Sequence, residues 1–105
     1  MIITTTQTIE GKKIIEYKGV VFGEVINGIH FMKDFAASIT NFTGGRSKEY
    51  EQEVIKARSE ALNEMVQRAE ELGANAIVGV KVDIETINES MLMVTATGTS
   101  VLIEE

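Results

Sequence analysis

Between residues 47 and 72 the apolar positions recur with helical spacing. With Tyr50 at zero and about 100° per residue, Val54, Ala61, Met65, Leu62, Ile55, Ala69 and Leu72 fall in one broad arc. This predicts a long amphipathic helix, ended by Gly73, which suits the left-handed position past a last turn. Glu49, Glu51 and Glu53 put negative charge near its start, where the helix dipole favours it, and Glu64 and Arg68 form an i,i+4 pair. Over residues 74–86 the period changes to two. Ala76, Val78, Val80, Val82 and Ile84 alternate with Ile77, Gly79, Lys81, Asp83 and Glu85, which predicts a half-buried strand. Asn88-Glu89-Ser90 then reads as a polar turn into a second strand, Met91–Ile103, and the two strands pair as an antiparallel hairpin.

Upstream, residues 2–8 and 13–26 read as another hairpin about Glu10-Gly11. Gly19 and Gly23 suggest a bulge or sharp bend in its second strand. Within residues 27–46, Phe31, Met32, Phe35, Ala36, Ile39 and Phe42 have helical spacing and predict a short helix over 33–40. In the last strand one face holds Leu92, Val94, Ala96, Gly98, Ser100 and Leu102, with small residues where a helix can approach. The other face holds Met91, Met93, Thr95, Thr97, Thr99, Val101 and Ile103, and Val20-Val21-Phe22 is apolar on both sides too. One helix covers one face of a small sheet, so the second face asks for a partner, and another copy of the chain is the simplest candidate. The predicted class is α+β: a small antiparallel sheet of two hairpins packed on one long helix.

Composition narrows what such a fold does. At 105 residues the chain is one domain, and with 44% apolar and 25% charged residues it is a folding one. Zero Cys excludes disulfides, thiolate metal centres and a cysteine nucleophile. Zero Pro suits long regular elements. The start, Met1-Ile2-Ile3-Thr4-Thr5-Thr6, has no basic stretch followed by an apolar core, and no apolar run reaches membrane-spanning length. The cytoplasm is the expected compartment. A net charge of -6 argues against nucleic acid as a partner.

Particular residues accumulate along this frame: Asn27, Asp34-Phe35, Asn41, Gly44-Gly45-Arg46, Tyr50-Glu51 and Ala57-Arg58. Gly73-Ala74-Asn75-Ala76 follows, then Asp83 and Ala96-Thr97-Gly98-Thr99-Ser100-Val101. Together these residues resemble the YbjQ family of bacterial proteins over nearly the whole chain. The resemblance implies a dodecin-like subunit, assembly as a cyclic homo-oligomer with five copies, and heavy-metal binding.

Four candidate sites arise. Arg58 falls at about 80° on the wheel, near the middle of the apolar arc, with Glu51 at about 100°. That predicts a buried guanidinium paired with Asp34, Glu51 or Asp83 at a subunit contact, in preference to an anion-binding arginine in a shared pocket. Gly44-Gly45-Arg46-Ser47 precedes the helix start, where free amides suit an anion, yet the neighbouring glutamates favour a plain glycine turn, with Tyr50 beside it. For a metal, His30, Asp34, Asp83, Glu85, Glu89, Met91 and Met93 are the available donors; with one histidine and no thiolate, a soft ion needs ligands from several subunits. His30 as a general base lacks a suitably spaced nucleophile, so no catalytic residue is assigned. The sequence thus predicts a non-catalytic homo-oligomer holding a small ligand or ion between subunits, with a purely structural ring as the rival.

Overall fold

The computed structural model describes residues 1–27, 48–88 and 91–104. Along the chain come β1 (Ile2–Ile3), β2 (Ile14–Asn27), α1 (Lys48–Glu71), β3 (Ala76–Asn88) and β4 (Met91–Ile103). The strands form one sheet in the order β1-β3-β4-β2, with β2 and β3 each antiparallel to β4. The fold is α+β, and the expected helix and the β3–β4 hairpin are both present. The helix expected over 33–40 and Glu89-Ser90 of the expected turn lie outside the described residues.

Helix α1 buries a single ridge, Ala57, Ala61, Met65 and Ala69, each four residues from the next. The ridge meets Val21, Ile77, Val80, Val94 and Ala96 of the sheet in one core cluster. Three of its four members are alanines, so helix and sheet approach closely. At Gly23 the approach is closest: a Cβ there would land on the Ala61 carbonyl and lie 2.9 Å from the Met65 amide nitrogen. Gly23 is therefore a contact glycine and not the bulge its neighbourhood suggested. Gly19 is the bulge, with φ 122° and a register shift between Tyr17 and Gly19. The fully buried Ser100 hydroxyl donates to the Gly19 carbonyl at 2.8 Å.

The Gly-Ala-Asn-Ala motif carries the chain from helix to sheet. The Gly73 amide donates to the Glu70 carbonyl at 3.0 Å and the Ala74 amide to the Ala69 carbonyl at 3.1 Å, a Schellman stop with Gly73 at φ 84°. Asn75 then clamps the end of β4. Its Nδ2 donates to the Ile103 carbonyl at 3.0 Å, and its Oδ1 accepts from the Ile103 amide at 2.7 Å.

Two expectations about strand faces are corrected. First, the alternation in β3 breaks at Gly79, which has φ 62° and sits in a bulge with Val80 between the pairs Val78–Thr99 and Lys81–Thr97. The extra residue flips the pleat. Ile77 therefore joins Val80 and Val82 against the helix, while Ala76 and Val78 turn to the opposite side. Gly98, expected to make room for the helix, makes room for this bulge: a Cβ there would meet Ile77 Cγ2 at 2.6 Å.

Second, residues 2–8 do not form a ladder with β2. The turn at Glu10-Gly11 is present, but it joins only Ile9 and Lys12. β1 runs parallel to β3, through Ile2–Ala76 and Ile3–Ile77, so the sheet is mixed. Thr4 and Thr6 extend the association by accepting from the Val80 amide at 3.0 Å and the Gly79 amide at 2.8 Å. Ile9 and Ile14 consequently pack on a second cluster, Ala76, Val78, Val101 and Ile103. One end of the face away from α1 is thus covered by the chain's own N-terminal segment, and only the remainder calls for a partner.

Candidate functional site

The remainder of that face is defined by register. Val20, Phe22, Glu24 and Ile26 of β2 lie opposite Thr99, Thr97, Thr95 and Met93 of β4. Lys81, Asp83 and Glu85 of β3 flank Thr97, Thr95 and Met93 on the other side. Cross-strand partners share a face, so the surface changes character across the sheet: apolar on β2, hydroxyl-bearing on β4, charged on β3. The β2 row is strongly exposed, with Val20 at 78%, Tyr17 at 69%, Ile26 at 47% and Phe22 at 46%. Among the described residues β2 is also an edge strand. Arg68 of α1 reaches it, its Nη1 donating to the Phe22 carbonyl at 2.6 Å and its guanidinium carbon 4.3 Å from the centre of the Phe22 ring. Glu64 holds the same Nη1 at 2.7 Å, which is the i,i+4 pair expected from sequence.

Two clefts open at the other end of the sheet. One, of about 460 Å³, runs between Met1, Ile2, Lys12, Glu70, Asn75 and Glu104. Its walls carry both signs of charge, and its Asn75 is already committed to Ile103. The second, of about 490 Å³, is lined by Ile2, Thr4, Thr6, Thr8, Ile9 and Glu10. Two of its hydroxyls are paired internally: those of Thr4 and Thr6 lie 2.8 Å apart, and the Thr6 hydroxyl donates to the Thr8 carbonyl at 2.6 Å. Among the described residues no buried side-chain polar atom lacks a hydrogen-bond partner. Neither was signalled by a sequence motif: the first draws on four separate segments, and the second on the stretch 2–10 alone.

The sequence-predicted residues are scattered. Asp34, Gly44, Gly45, Arg46 and His30 lie outside the described residues, as does the side chain of Tyr50. Glu51 is half-buried on α1. Arg58 is exposed, contrary to expectation. The buried ridge follows the i+4 row and drifts about 40° per step around the wheel. At the level of Ala57 and Ala61 it faces about 0°, so Arg58 at about 80° has left the core by its own turn. Asp83 is half-buried on the sheet face away from α1 and pairs with Lys81 at 3.6 Å, so it is not the partner of Arg58.

Met91 and Met93 project from one face of β4 and are half-buried. Met93 is flanked by Ile26 and Glu85. Among the described residues no three His, Cys, Asp or Glu side chains come together. Within one subunit the described donors do not fit a heavy-metal centre, which favours thiolate or imidazole.

Comparison with known proteins gives a consistent family. A UPF0145 protein of Acetivibrio thermocellus is 61% identical, covering 99% of this chain and all of the relative. A UPF0145 protein of Listeria monocytogenes is 59% identical across 99% of this chain and 96% of its own. A crystal structure of a protein of unknown function from Pediococcus pentosaceus, in the DUF74 family, superposes with a TM-score of 0.66 at 21% identity, covering 99% and 98% of the two chains, and so shares the fold. The family model described as "Putative heavy-metal-binding" matches residues 1–104. On the whole-chain match and the full-length relatives together, the chain belongs to the YbjQ family.

Proposed function

We propose that the protein works as a cytoplasmic assembly of identical subunits that holds a small ligand or ion between them and performs no catalysis of its own. The exposed apolar row on β2 carries this reading: an apolar strip broken only by Glu24, on the face away from the described helix, is unusual on a subunit that works alone. A ring of five copies follows from the likeness to the family.

A second reading keeps the family's metal. Met93 lies between Glu85 and the Ile26 end of the apolar row, so a subunit contact there would bring donors of different chains together. Symmetry multiplies one donor per chain, and only such a shared site would satisfy a soft ion here. Native mass spectrometry of protein purified without chelators tests both readings. The expected result is a discrete species near five times 11.5 kDa that carries additional retained mass. A species at 11.5 kDa alone overturns the assembly. A bare assembly with no retained mass leaves the structural ring, and elemental analysis of any retained ion decides the metal.

A further inference from the structure

We infer that the β2 row Tyr17, Val20, Phe22 and Ile26 receives a second copy of this chain face-on, through side chains, while Arg68 keeps the edge of β2 from being extended strand to strand. The inference rests on the self-assembly proposed above and adds where and how the copies meet. An exposed edge strand of 14 residues offers two ways to associate. A partner strand can add along its backbone, or a partner surface can pack on its side chains.

The two routes are not equally open. Arg68 donates to the Phe22 carbonyl at 2.6 Å and lies over the Phe22 ring, held there by Glu64 at 2.7 Å. A strand added to β2 would have to displace this charge-assisted bond near the middle of the edge. Charged side chains set on an edge are a common way of blocking such addition. Among the described residues the side-chain face has no such guard. Between Tyr17 and Ile26 its outward positions carry one charge, Glu24, and the charged Lys81, Asp83 and Glu85 stand two strands away on β3. An apolar, charge-poor centre bordered by charge is the composition of an interface core with its rim.

Area and charge select the occupant. With Ile15, itself exposed, the row offers on the order of 500 Å² of side-chain surface, against about 800 Å² per partner in a standard stable interface. Neighbouring half-buried threonines of β4 extend it toward that figure, and a second copy fits it without another component. A lipid surface is the poorer fit, because a net charge of -6 is repelled by anionic headgroups.

Sedimentation velocity on the full-length parent, Val20→Lys and Arg68→Ala tests the inference, with circular dichroism melts to establish folding. Val20 is 78% exposed, so Val20→Lys should fold like the parent. The expected result is a parent heavier than 11.5 kDa, a Val20→Lys variant whose association is weakened at least tenfold, and an Arg68→Ala variant that adds larger species to the parent's assembly. An oligomeric parent with an equally oligomeric Val20→Lys overturns this inference and leaves self-assembly standing. An Arg68→Ala variant of unchanged mass overturns the guarding role given to Arg68. A parent at 11.5 kDa overturns both the inference and the self-assembly on which it rests.

Discussion

On the side of the sheet that meets α1, β4 presents Leu92, Val94, Ala96, Gly98 and Ser100, and all five are buried. On the other side, β2 presents Tyr17, Val20, Phe22 and Ile26, and all four are exposed. The same strands build both faces, so local propensity does not separate them. The helix-side face is shaped by fit: alanines on α1, Gly23 beneath Ala61, and a buried serine bonded to the Gly19 bulge. The β2 row has apolar bulk and no steric constraint. A surface that is apolar yet unconstrained suits a partner that arrives after the subunit has folded, whereas close-packed small residues make the subunit itself.

The comparison breaks most visibly at Gly23. Gly23→Val places a side chain where the Ala61 carbonyl and Met65 amide stand, and backbone does not yield as a flexible side chain does. A loss of more than about 3 kcal/mol, or failure to fold, is expected in a thermal melt. Met65→Ala empties the largest buried position of the helix ridge and should cost about 2–5 kcal/mol in urea unfolding. Asn75→Ala removes both bonds to Ile103 and should cost about 1–3 kcal/mol, with faster amide exchange at the end of β4. Changes on the outer surface should leave subunit stability almost untouched. Arg58→Ala is expected within about 0.5 kcal/mol of the parent, since its side chain is exposed. A loss of several kcal/mol there would return Arg58 to a buried pair.

Long periodic elements were legible because each repeats its signal. α1 and β4 occur where the spacing put them, and Gly73 ends the helix as its position implied. What stayed hidden depends on the third dimension. β1 has two residues, too few for a period to show, and its parallel partner lies more than 70 positions along the chain. The bulge at Gly79 is invisible because apolar alternation continues through it while the pleat beneath reverses. Gly23 and Gly19 look alike in sequence; only the helix overhead separates a contact glycine from a bulge glycine. Arg58 was misplaced because a wheel discards position along the axis, and a ridge of i+4 residues slants across it. The candidate site was less legible than the fold. Its glycine-arginine motif and His30 lie outside the described residues, whereas the β2 row was marked early by Val20-Val21-Phe22.

Whether the β2 row is covered in solution is the central question, and hydroxyl-radical footprinting read by mass spectrometry addresses it directly. At working concentration Tyr17 and Phe22 should be labelled slowly, and labelling should rise sharply on dilution below the dissociation constant. Tyr17 and Phe22 labelled at the full rate of exposed rings at every concentration would contradict the account.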